Sequence, residues 1–232
     1  MKLKNLLAAF AAAIILMTTS CNSDDVTPGT QIFLDIVTVK TKDATGAVFT
    51  CRQGADTPLA TYTTSQTITG NFIKEGDRIL ISYTAEQGRY VTGNITVLAA
   101  TTTAGAGAPV PEEDFLQITN LKGATVNMGN IWRTGTYLNA VFLAHSASDF
   151  KTCRMVADNT TLNDEYPVIR LIFEPETGTD ESEYAFYMSY SISDIVNRPG
   201  VKGVRVYYND PSQKQDFVEI DYVGSGIIRP NE

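Results

Sequence analysis

From Gln31 onward, apolar and polar positions alternate with a period of two, the pattern of strands. In QIFLDIVTVK, Ile32, Leu34 and Ile36 alternate with Phe33, Asp35 and Val37 among strong β formers. After a turn signal at Asp43 to Gly46, GAVFTCR places Ala47, Phe49 and Cys51 on one face. GDRILISYTAEQGRYVTGNITVL predicts a hairpin: Ile79, Ile81 and Tyr83 alternate, the turn falls near Glu86 to Gly88, and Val91, Ile95 and Val97 resume. About five short strands in this stretch suit a small closed barrel, since closure removes exposed edges, and an OB-like barrel is the expectation for residues 31–100. Thr101 to Asp114, rich in small residues with two prolines, breaks the pattern and predicts a linker.

The alternation returns over residues 115–232. TYLNAVFLAH sets Leu138, Ala140 and Phe142 against Tyr137, Val141 and Leu143, and five further strand-like runs follow. GVRVYYND and QDFVEIDYV flank Asn209, Asp210 and Pro211 and predict a hairpin. Six or more strands without a long amphipathic helix describe an antiparallel β-sandwich, so the chain is predicted all-β with two domains. SISDIVNRPG predicts one helical turn, capped by Ser193 and stopped before Pro199.

The segment before Gln31 follows another rule. Lys2 and Lys4 precede the uncharged run Leu6 to Met17, and Thr18, Thr19 and Ser20 lead into Cys21. This is the order of a secretory signal. The apolar run spans only about 18 Å as a helix, short of a hydrocarbon core of roughly 30 Å. The cysteine after the small residues resembles the lipobox of bacterial lipoproteins, with Thr18 standing where leucine is usual. That resemblance implies cleavage after residue 20 and attachment of diacylglycerol and palmitate to Cys21, a membrane anchor worth roughly 0.8 kcal/mol per buried CH₂. Residues 21–30 then form a polar tether. Asp24 and Asp25 resemble the acidic export signal of surface lipoproteins in the Bacteroides group, so the expected location is the outer membrane, at the cell surface, with its periplasmic face as the alternative.

Charge narrows the partners. Loss of residues 1–20 removes Lys2 and Lys4, leaving 16 basic against 26 acidic side chains. A chain that acidic repels phosphate backbones, so nucleic acid is not an expected partner. With Cys21 consumed by lipid, Cys51 and Cys153 remain, about a hundred residues apart and both inside strand-like runs. A disulfide is one reading; two buried free thiols, as small hydrophobes, is the other and the better supported.

Candidate chemistry is sparse. His145 is the only histidine, so a Ser-His-Asp or Cys-His device would have to use it, and no local motif supports one. A zinc site of nitrogen and sulfur ligands could draw only on His145, Cys51 and Cys153. Glu174, Glu176, Asp180, Glu181 and Glu183 crowd FEPETGTDESEY, but their spacing lacks the alternating order of the familiar calcium loop, and a solvated turn explains them. No catalytic residue, metal or cofactor is therefore expected. Strand parity places Tyr184 and Tyr190 with Phe186, Met188 and Ile192, and Tyr187 and Tyr207 on opposite faces from the core. If their strands neighbour each other, Tyr187 and Tyr207 form an exposed pair able to stack on sugar rings. Trp132 is expected to anchor the sandwich.

The lipobox, FLDIVTVK, GDRILISYTAEQ, NIWRTGTYLNAVF and KGVRVYYND, in that order, resemble the NigD-like lipoproteins of the Bacteroides group. The resemblance spans nearly the whole mature chain. It implies an N-terminal OB-like domain, a C-terminal β-sandwich, no established activity, and a link to bacteriocin immunity. The expected function is a non-enzymatic interaction module on a lipid tether, with glycan binding and protective immunity as alternatives.

Overall fold

A computed structural model of the chain describes residues 31–53, 57–68, 73–103, 110–112, 127–144, 150–175, 184–208, 217–221 and 227–228. The signal segment, the tether with Cys21, Asp24 and Asp25, and His145 lie outside the described residues, as do the turn at Asn209 to Pro211 and the acids from Glu176 to Glu183. Contacts divide the chain into two units: one runs to Cys51 and resumes over Ala60–Thr102, the other holds Arg52–Leu59 and the chain from Thr103 onward.

The first unit contains β1 (Ile32–Asp43), β2 (Gly46–Cys51), β3 (Ala60–Thr64), β4 (Arg78–Thr84), β5 (Gly93–Asn94) and β6 (Thr96–Thr102). They form one sheet in the order β5-β3-β2-β1-β4-β6. The predicted β1–β2 hairpin is present, with Asp43 opposite Gly46. Its turn admits no side chain at Gly46, where a Cβ would stand 2.1 Å from the Thr64 carbonyl oxygen.

β5 runs parallel to β3, Tyr62 opposite Gly93, while β6 runs antiparallel to β4. The sheet's two ends are consecutive in the chain, joined through Ile95, whose N–H donates to the Thr63 carbonyl at 2.9 Å. The expected closed OB-like barrel is therefore drawn as an open six-stranded ladder. Its end strands are linked by one residue of chain and not by a pairing of their own.

The core of this unit gathers Val37, Val39, Phe49, Ile79 and Ile81 with Tyr62 and Tyr83. The predicted face Ala47, Phe49 and Cys51 is buried as expected. β1 corrects a simpler picture: Phe33, Val37 and Val39 face this core, and Asp35 shares their parity and is also buried. Cys51 is a buried free thiol with its sulfur 3.8 Å from the Ile36 carbonyl.

The second unit contains β7 (Val110–Glu112), β8 (Asn127–Thr134), β9 (Tyr137–Ala144), β10 (Phe150–Asp158), β11 (Val168–Pro175), β12 (Tyr184–Ser191), β13 (Gly203–Tyr207), β14 (Phe217–Asp221) and β15 (Ile227–Ile228). A six-stranded sheet in the order β15-β14-β13-β11-β10-β7 faces a three-stranded sheet, β12-β9-β8. One core joins them: Leu138, Phe142, Met188 and Tyr190 from the smaller sheet meet Ile169, Leu171, Val204 and Val206 from the larger. Residues two apart thus bury one face of each strand, which is the sandwich the alternation predicts.

Three local readings need correction. The segment Thr101–Asp114 is not purely a linker, because β6 runs through Thr102 and β7 pairs with β10. The sandwich is mixed, not antiparallel throughout: β10–β7 and β11–β13 are parallel. Between β11 and β13 the chain crosses to the other sheet as β12, so it returns beside β11 in the same direction. Ser193 does not cap the helix α1 (Ser193–Val196); it is its first residue, and Ile192 occupies the cap position without a side-chain bond. The helix does end before Pro199.

Candidate functional site: a locked carboxylate beside a polar cleft

Asp35 is only 5% exposed, yet it lies in the middle of β1 with its carboxylate on the core side. A buried ionised carboxylate demands partners, because desolvation costs several kcal/mol per unpaired ion. It receives them from one neighbouring strand and one turn. Tyr83 in β4 donates its hydroxyl to Oδ2 at 2.7 Å, and Tyr90 donates to Oδ1 at 3.0 Å. Arg89 reaches Oδ1 with Nη2 at 2.7 Å and both oxygens with Nε at 3.2 Å, and its Nη2 also donates to the Leu34 carbonyl.

A chain of protons runs from there into the core. The Tyr62 and Tyr83 hydroxyls are 2.9 Å apart, and the Tyr90 N–H donates to Tyr62 Oη at 2.8 Å. A phenol carries one proton and a carboxylate only accepts, so the Tyr83 proton goes to Asp35 and the Tyr62 proton completes the contact with Tyr83. Burial is the main cause that raises all three phenols: Tyr62 is pushed up to about 12, and Tyr83 and Tyr90 higher still with the Asp35 charge adding to it. Arg89 feels burial pulling its pKa down, but the hydrogen bonds and charge of Asp35 outweigh this and raise it.

The network also holds a strained residue. Tyr90 has φ of 62°, the left-handed region, which costs a side-chain-bearing residue roughly 1–2 kcal/mol. Its N–H bond to Tyr62, its hydroxyl bond to Asp35 and the Arg89 guanidinium 4.7 Å above its ring hold that conformation. Such strain persists only where surrounding contacts over-determine the backbone. Here they fix the turn Ala85–Thr92 against the sheet. Gln87 adds a bond from Nε2 to the Asn94 carbonyl at 3.0 Å, and the Thr61 N–H donates to Thr92 Oγ1.

The near end of that turn forms one wall of a cleft of about 1300 Å³. The opposite wall is the β1–β2 turn with the end of β3. Phe33, Ala47 and Ile95, all core residues, lie at its base. Hydroxyl and amide side chains line the rest, among them Thr41, Thr63, Thr64, Gln87 and Asn94. Among the described residues its charged lining is Asp43 and Glu86, one on each turn. Asp43 Oδ1 accepts from Thr45 N–H, Thr45 hydroxyl and Gly46 N–H, and the hydroxyl bond above all holds this carboxyl below its ordinary value.

The residues singled out from sequence fall elsewhere. Tyr187 lies in β12 of the three-stranded sheet and Tyr207 in β13 of the six-stranded sheet. The adjacency that would make them a stacking pair is absent, because β12 pairs with β9 while β13 pairs with β11 and β14. Both are half-buried, and burial raises the Tyr187 phenol. Glu174 is not in a loop but in β11, opposite Thr152. Asp35, Arg89 and Tyr90 were not legible as a site; the available signal was an aspartate in phase with the core-facing residues Phe33 and Val37.

No family model and no curated protein matches the sequence. Solved structures do. A NigD-like immunity protein from Bacteroides caccae is 17% identical with a TM-score of 0.55, covering 89% of this chain and all 100% of that one. The chain has the NigD-like fold. A protein of unknown function from Bacteroides vulgatus shares it at 18% identity and a TM-score of 0.61, covering 86% of this chain and 97% of that one. So does a candidate lipoprotein from Bacteroides fragilis, at 14% identity and a TM-score of 0.55, covering 84% of this chain and 100% of that one. Among the described residues, no helix of this NigD-like fold is long and apolar enough to cross a membrane.

Proposed function

We propose that the chain is a NigD-like lipoprotein, acylated at Cys21 and held at the outer membrane, where its two β units act as a non-enzymatic interaction module. The observation that carries this reading is the lipobox-like run ending at Cys21 ahead of a fold shared with a candidate lipoprotein and a NigD-like immunity protein. The buried titratable cluster supports a binding role over a catalytic one. Both oxygens of Asp35 already accept from neighbouring donors, so proton abstraction from a substrate would first have to break the lock. Asp24 and Asp25, shortly after Cys21, support display at the cell surface. Protease shaving of intact and lysed cells tests this: cleavage in both places the chain outside, whereas cleavage only after lysis moves it to the periplasmic face. Release of the protein from washed membranes by salt alone would contradict lipid anchoring.

The likeness to an immunity protein from Bacteroides caccae favours a second reading, protection against a toxin. Deleting the gene would then raise sensitivity to a bacteriocin made by neighbouring cells. Unchanged sensitivity across a panel of such producers would contradict it.

A further inference from the structure

We propose that the cleft of the first unit binds an extended, cationic peptide segment, with Asp43 and Glu86 as the two charge-reading side chains. This deepens the interaction reading above and rests on it. Size is the first argument: about 1300 Å³ exceeds the roughly 300–1,000 Å³ typical of small-molecule sites. Charge is the second. Among the described residues the lining carries carboxylates on both turns and no lysine or arginine, so it opposes an anionic ligand and attracts a cationic one.

The carboxylates are also available. The three donors that hold Asp43 all reach Oδ1, which leaves Oδ2 without a partner among the described residues. Glu86 is exposed and its carboxylate has no partner among them either. Both sit on turns already fixed, one by the aspartate turn and by Thr67 donating to the Ala44 carbonyl, the other by the Asp35 network. Little ordering cost is left for a ligand to meet. Threonine hydroxyls and amides between them can bond a peptide backbone.

The lining argues against a sugar. Among the described residues Phe33 is the one aromatic residue along the cleft, and at 8% exposure it offers no ring face for stacking.

The test uses calorimetry on the chain from Asn22 onward with three probes: hexalysine, hexaglutamate and a neutral hexasaccharide. Hexalysine is expected to bind, and Asp43→Asn with Glu86→Gln to weaken it about tenfold, two partly screened contacts worth about threefold each. Asparagine retains the Oδ1 acceptor, so the turn survives. Glu75→Gln with Asp164→Asn, an equal charge change at exposed sites outside the cleft, is expected to leave affinity within twofold. Equal losses in both double variants would overturn the assignment by making the attraction general. Binding of the hexasaccharide alone would overturn the cationic class while leaving an interaction role standing, and no binding of any probe would overturn both the class and the cleft.

Discussion

Asp35 and Arg89 should be unequal partners when each is removed. Arg89→Met leaves a carboxylate that is 5% exposed without its cation and with only two phenol donors. Breaking an enclosed ion pair from one side costs roughly 3–5 kcal/mol, but the Arg89 side chain is 43% exposed, so solvent screening brings the expected loss to about 2 kcal/mol. Asp35→Asn removes the buried charge itself. Arg89 can then turn into water, and the phenol chain can reverse, with the amide donating to Tyr83 and Tyr83 donating to Tyr62. The cost is about 1 kcal/mol, that of exchanging charge-assisted bonds for neutral ones. The double variant buries no charge, so it should be more stable than Arg89→Met alone. Urea unfolding of the chain from Asn22 onward, followed by circular dichroism, measures all three. If Asp35→Asn proves the costlier change, or if the two losses simply add, the carboxylate is not the buried ion that organises this turn.

Other consequences follow from burial and close approach in both units. Tyr62, Tyr83 and Tyr90 keep their protons far above the usual phenol range in the folded state, so unfolding should become more favourable as pH rises above about 10, the stability being full below that value and lost as pH approaches about 12 for Tyr62. Absorbance at the phenolate band should show these tyrosines titrating together with loss of circular dichroism; smooth titration with structure intact would contradict their burial. Cys51 should resist aqueous thiol reagents in the folded protein and react once urea is added, whereas rapid native labelling would place it at the surface. Gly203→Ala should destabilise by roughly 2 kcal/mol or more in thermal melts, since a Cβ there would stand 2.5 Å from the Ile220 carbonyl oxygen and 2.7 Å from the Tyr166 ring. A variant as stable as the parent would show that β13 and β14 can separate freely.

How far the sequence reaches depends on which physical rule speaks. Alternation identifies the strands because burial of one face is a local, period-two constraint: Leu138, Ala140 and Phe142 face the core as expected, as do Ile79, Ile81 and Tyr83. Order within a sheet is not local. Nothing in the run GVRVYYND says that it lies beside β11 and not beside β12, so the supposed nearness of Tyr187 and Tyr207 fails. That the two end strands of the open first sheet are joined through Ile95 is likewise hidden, because that position reads as one more apolar residue. The hidden carboxylate was hardest to read. Asp35 looks like the polar member of an alternating strand, and only the meeting of β1, β3, β4 and the Arg89 turn reveals that it faces inward. Asp43 was legible as a turn former, through the Asp43 to Gly46 signal, but its sharing a cleft with Glu86 depends on two turns far apart in sequence.

Mass spectrometry of the amino-terminal peptide from the membrane-extracted native protein bears most directly on where and how the chain works. The account predicts a peptide beginning at Cys21 and carrying acyl chains, lost in Cys21→Ser. An unmodified Cys21, or residues 1–20 still attached, would contradict it.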